Sequence, residues 1–130
     1  MYEGTIGEIR MFAGTFAPQD WMLCAGQLLP IEQYTALYSV IGVNYGGNGM
    51  NNFALPDLRG RVPVGAGQGI GLTPINVGQF IGTERDNPVQ VQAASGTEVT
   101  AESSQIKDNH QPSLGINYVI CINGNYPSRP

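Results

Sequence analysis

Charge and metal-binding side chains are what this chain has least of. In 130 residues there are one histidine, two cysteines and a single lysine, charged residues make up only 12%, and the formal net charge is -4 with an isoelectric point of about 4.7. So little positive charge excludes the electrostatic footprint with which proteins neutralise nucleic-acid phosphates, and disfavours anionic membrane surfaces. Cys24 and Cys121 lack the spacing of a zinc pair. Each sits in an apolar run, Trp21-Met22-Leu23-Cys24 and Tyr118-Val119-Ile120-Cys121-Ile122, which reads as two buried thiols. No run approaches the roughly 20 apolar residues of a membrane span. Met1-Tyr2-Glu3-Gly4-Thr5 lacks the basic and apolar regions of a secretory signal, so an extracellular location implies another export route.

What the chain has in excess is glycine and proline, eighteen and nine, against 42% hydrophobic residues. That apolar fraction supports one core and therefore one domain over residues 1–130, rich in turns. Few charges also mean little repulsion between copies, which favours self-association.

The densest local signal is Phe53-Ala54-Leu55-Pro56-Asp57-Leu58-Arg59-Gly60-Arg61-Val62-Pro63-Val64-Gly65, which holds two of the six basic residues. Leu55 is pushed to an extended conformation by the following proline, and Pro56 has the φ that a turn wants at its second position, so a turn is expected near Pro56 and Asp57. Asp57 and Arg59 project to one side of an extended chain and Leu58 to the other. Leu55, Pro56, Asp57, Arg59, Gly60, Arg61 and Pro63 are read together as a fold-locking motif.

Taken in order, Thr5–Phe12 reads as a first strand, and Met22–Ala25 as a short apolar strand closed by Gly26-Gln27 with a hairpin or tight bend to follow. Pro30 suits the opening of a helix and Glu32 its positive end. Tyr34, Leu37, Tyr38 and Ile41 fall at i, i+3, i+4 and i+7, Val40 widens the stripe and Gly42 stops it, giving a helix over about residues 31–41. Gly46-Gly47-Asn48-Gly49 is a loop. Gly65, Gly67, Gly69 and Gly71 alternate with larger residues and read as a looping connector rather than a strand with one bare face. Residues 88–110 are a variable polar segment. Leu114–Ile122 is the most strand-like run and is expected to be buried and central.

Catalytic patterns are weak throughout. Gly65-Ala66-Gly67-Gln68-Gly69 lacks the Gly-Lys-Ser/Thr of a phosphate-binding loop. His110 has Ser103, Ser104 and Ser113 nearby in sequence, but none in a nucleophile-elbow setting. Glu84 and Asp86 flank Arg85 ahead of Asn87-Pro88, as in a solvated turn, and Glu98 and Glu102 have no spacing a metal selects. No enzyme, no cofactor and no metal is expected.

Several segments together resemble the phage tail collar domain family, which includes the bacterial microcystin-dependent proteins. They are Ile6–Gly14, Phe16-Ala17-Pro18 with Trp21, Leu23–Ile31, Thr35–Tyr38, Tyr45–Gly49, Phe53–Pro63, Asn117–Ile120 and Tyr126–Arg129. The resemblance runs nearly end to end, and Phe53–Pro63 looks like the family's most specific motif. It implies a non-enzymatic structural module of tail fibres or related extracellular appendages, usually a homo-oligomer, trimeric in phage fibres. Family members often carry a metal-binding His-x-His element after the Gly-Thr-Glu segment. Here Gly82-Thr83-Glu84 is followed by no histidine until His110, so no metal site is carried over.

The resulting expectation is a mainly β fold with one short helix, in a structural subunit that assembles with itself as trimer or filament, with other tail or appendage proteins or a cell-surface receptor as further partners. Ile6, Ile9, Met11, Tyr118, Ile120 and Tyr126 are the expected subunit contacts. The rival is a compact trimeric adhesin whose segment Gln90–Asn109 reads a surface glycan or protein.

Overall fold

The computed structural model describes residues 3–83 and 111–130. The chain divides into two units, Met1–Gln79 with Gly115–Pro130, and Phe80–Leu114. In the second, the described residues Phe80–Thr83 and Gln111–Leu114 are exposed.

The elements of the first unit are β1 (Ile9–Phe12), β2 (Trp21–Leu23), β3 (Leu28–Pro30), α1 (Thr35–Ile41), β4 (Asn52–Ala54) and β5 (Asn117–Cys121). The class is mainly β with one short helix, as the composition implies. Strand β5 is central in a three-stranded sheet of order β1-β5-β2, and β3 pairs with β4 in a second sheet. All pairs are antiparallel, with Ile9 and Met22 flanking Ile120, and Leu29 facing Phe53. Val119, Ile120 and Cys121 are buried, which fits the β-branched content of that run.

The first strand is shorter than Thr5–Phe12, because Gly7 interrupts it. Glu8 N–H bonds Thr5 C=O at 2.9 Å, Gly7 N–H bonds Cys121 C=O at 3.0 Å, and Cys121 N–H bonds Glu8 C=O at 2.9 Å. Two residues thus face one, a β-bulge whose first member needs the left-handed φ of +90° that glycine supplies. Thr5 instead makes an isolated parallel bridge to Asn125.

Helix α1 begins at Thr35, not near residue 31. Pro30 ends β3, an edge position where its missing N–H breaks no ladder, and Ile31 N–H bonds Asn51 C=O at 3.0 Å. Glu32 therefore lies before the helix, which has no acidic residue in its first turn. The expected stripe is the packed face: Leu37 and Ile41 are buried, and Tyr34 and Tyr38 pack partly against the core. Val40 is 37% exposed, so it does not widen that stripe. Gly42 stops the helix at φ +58° with its N–H on Tyr38 C=O at 2.8 Å.

The core holds Ile6, Cys24, Leu29, Leu37, Ile41, Phe53, Leu55 and Ile120, with Phe53 packed on Tyr38 at a ring separation of 5.3 Å. Both cysteines are free and buried, and burial pushes Cys24 up to about 11 and raises Cys121 as well. At both positions the apolar surroundings disfavour the thiolate.

Candidate functional site

Beyond β4, residues 55–58 run antiparallel to residues 24–27, so the short ladder of β3 and β4 continues into the chain that leaves β2. Leu55 N–H bonds Gln27 C=O at 3.0 Å, Gly26 N–H bonds Pro56 C=O at 3.2 Å and Leu58 N–H bonds Cys24 C=O at 3.0 Å. Asp57 makes an antiparallel bridge with Ala25. Leu55 and Pro56 are buried as a result, and Leu58 packs against the core, while Asp57 and Arg59 point the other way. The alternation expected of an extended chain is present.

Asp57 then closes a clasp. Its two carboxylate oxygens accept Arg59 Nε and Nη2, each at 2.9 Å, and Oδ1 also accepts the Arg59 backbone N–H at 3.2 Å. Arg61 Nη1 stands 3.8 Å from Oδ2 and donates to the carbonyls of Asp57 and Arg59 at 3.4 Å. The two-pronged hydrogen bond from Arg59 holds the Asp57 carboxyl down at about 2, below the ordinary carboxylate range. The turn falls three residues later than Pro56 and Asp57: Arg61 N–H bonds Leu58 C=O at 3.1 Å, with Gly60 at φ +68° in the position where such a turn needs a left-handed residue. Pro56 is held in the ladder instead. Gly26 lies under the clasp at φ +74°, where a Cβ would stand 3.1 Å from Asp57 Cβ.

The Arg59 side chain is 70% exposed and that of Asp57 23%, so the pair sits at the surface, where ion pairs contribute only ~0.2–1 kcal/mol. Its structural product is direction. From the clasp the chain leaves the body as an arm, and every residue from Arg61 to Pro74 is exposed. No regular strand forms over Gly65–Leu72. Gly67 and Ile75 exchange backbone hydrogen bonds at 2.7 and 2.8 Å, and Leu72 N–H bonds Gly69 C=O at 3.0 Å, which gives the arm a pinched, looped form. It returns at Gly78, φ +84°, whose backbone lies so close to Asn44 C=O that a Cβ would collide with it.

The expected subunit contacts divide. Ile6 and Ile120 are 6% and 0% exposed, within the chain's own core. Tyr118 is half-buried against that core. Ile9, Met11 and Tyr126 are exposed, at 38%, 67% and 57%. Ile9 and Met11 project from the same side of β1 as Ile120 and Tyr118 do from β5, so the core-facing side of the sheet overhangs its own cover at this edge. Tyr126 Oη and Ser39 Oγ share a hydrogen bond at 2.6 Å, which places the last residues near α1.

Glu84, Asp86, Glu98, Glu102, Ser103, Ser104, His110 and the polar segment 88–110 lie outside the described residues. Ser113 Oγ donates to Gln111 C=O at 2.7 Å. Among the described residues no three His, Cys, Asp or Glu side chains converge as a metal would require, so no step through a metal is derived. The arm's anchorage at Gly78 escaped sequence reading. The signal for the arm is the glycine alternation from Gly65 to Gly71, read as a looping connector, whereas the backbone contact at Asn44 has no local signature.

Residues 7–63, from the bulge to the end of the clasp, match the Phage Tail Collar Domain. That span, a little under half of the chain, is what is similar to the phage tail collar family. Among its relatives, the short tail fiber protein gp12 of Enterobacteria phage T4 is 40% identical over 73 residues, which is 55% of this chain and 14% of that protein. The chain therefore aligns with a small part of that relative's length. The family is one of tail structural proteins and not a known enzyme family.

Proposed function

We propose that this chain is a structural subunit of a tail-fibre-like extracellular appendage that assembles with itself. The observation that carries the reading is the collar domain match over residues 7–63, which contains the whole Asp57 clasp. The 40% identity with a short tail fiber protein supports it. Such a role implies a virion-associated or surface location, other tail or appendage proteins as partners, and no catalysis. No helix among the described residues is long and apolar enough to cross a membrane.

In this reading the fold-locking motif Leu55, Pro56, Asp57, Arg59, Gly60, Arg61 and Pro63 sets the path of the chain. Ile9, Met11 and Tyr126 are exposed apolar positions for subunit contact. Low charge keeps repulsion between copies small. The test is sedimentation velocity of purified protein at micromolar concentration. The expected result is a defined oligomer or a filament, and a monomer at every concentration contradicts the proposal.

A further inference from the structure

We infer that the arm Arg61–Gln79 is a pre-formed interface for a second copy of this chain, an inference that rests on the self-assembly reading. Three features of the arm point that way. It is apolar at its surface: Val62, Ile70 and Leu72 are 74%, 104% and 66% exposed, and no charged residue occurs from Val62 to Thr83. Single exposed aliphatics are ordinary, but a continuous uncharged run of them marks a surface meant to be covered. The arm is also already shaped. The Gly67–Ile75 pair, the Gly69–Leu72 turn, the clasp at its start and the Gly78 contact at its return fix its backbone before any partner arrives, which lowers the ordering cost of association. Finally, it is the right size: nineteen residues approach the ~20–30 per side of a stable interface.

The chemistry of the arm selects its occupant. Without lysine, arginine or aromatic side chains from Val62 to Gln79, it has nothing to hold a phosphate, to stack a sugar ring or to anchor at a lipid headgroup. What suits it is another apolar surface, and the same unit supplies one at β1, where Glu8 and Arg10 are paired with each other. There Ile9 and Met11 overhang the core, and the outer edge of β1 has no ladder partner among the described residues. Arm and overhang are different patches of one chain, so the contact is head to tail and generates either a closed ring or an open filament.

The experiment compares wild type, the double variant Ile70→Asp with Leu72→Asp, and the control Met50→Asp by sedimentation velocity over a concentration series, with thermal unfolding of each. Met50 is 85% exposed but lies off the arm. The expected result is an assembling wild type and control, and a double variant weakened about tenfold or more, near 1.4 kcal/mol, with an unchanged thermal midpoint. If wild type assembles and the double variant does so equally well, the arm is not the interface, although self-assembly stands. A wild type that stays monomeric overturns both readings. Equal loss in Met50→Asp overturns the specific role of the arm. Should the aspartates lower the thermal midpoint, Ile70→Ser, at a fully exposed side chain, carries the same decision.

Discussion

Residues 52–58 and residues 61–79 are neighbours in sequence and opposites in structure. The first seven run through a ladder, bury Phe53, Leu55 and Pro56, and end in a clasp. The following nineteen contribute nothing to the buried core and are held at their ends, by one pinch and by local turns. Two adjoining stretches, the first denser in apolar residues than the second, thus answer to different constraints. The first is fixed by packing within the chain, the second by shape alone, with its apolar side chains left outward. A stretch whose hydrophobicity does nothing for its own fold is where contacts with other molecules belong.

That contrast can be broken by substitution. Phe53→Ala, at a fully buried ring packed on Tyr38, is expected to cost ~3–5 kcal/mol in denaturant unfolding, enough to unfold a marginal domain. Ile70→Ala on the arm should stay within ~0.5 kcal/mol. Equal costs would erase the distinction. Next in size is Gly47→Ala. Gly47 has φ +95°, and a Cβ there would meet the Phe53 Cα, so a loss of ~1–3 kcal/mol is expected by the same assay, far above that of Gly65→Ala, where a Cβ meets nothing within 4 Å.

The clasp stands between the two regions and its effect is smaller. Asp57→Ala should cost ~1 kcal/mol, because the ion pair is exposed and the backbone ladder around it remains. It should also weaken assembly, since the clasp aims the arm. Its pH signature is more specific. The folded-state carboxyl is depressed to about 2 from 3.8, so its contribution is complete above the ordinary value and disappears as pH falls from about 4 toward 2. Glu8, lowered chiefly by the Thr5 backbone N–H and then by Arg10, shifts stability in the same direction. Unfolding midpoints measured between pH 5 and 2 should fall, and fall less steeply in Asp57→Asn. An identical slope would remove the clasp from the account.

Much of this organisation was legible in the sequence because it is local. The β-branched run at β5, the four-residue spacing of the helix face, the Gly42 stop and the alternation of Asp57, Leu58 and Arg59 each announce themselves within a few residues. What was not legible depends on distant partners. Pro30 reads as a helix opener until β4 is known to lie beside it. Gly7 reads as a strand residue until Cys121 faces it across a bulge. A hairpin or tight bend after β2 suggests pairing with its neighbour, whereas β2 pairs with β5 from the far end of the chain. Ile6 shows no local sign of its burial, which comes from sharing one cluster with Leu37 and Ile41 of α1 and Phe53 of β4.

The body is held by its own packing, whereas the arm's exposed apolar side chains are covered, in the proposed assembly, by a second copy. Peptide-resolved amide hydrogen exchange, at a concentration where the protein assembles and at one where it does not, tests this most directly. Peptides from residues 61–79 are expected to gain protection on assembly, while those covering Phe53–Leu55 and Val119–Cys121 are protected equally in both. Arm peptides with the same protection at both concentrations would contradict that expectation.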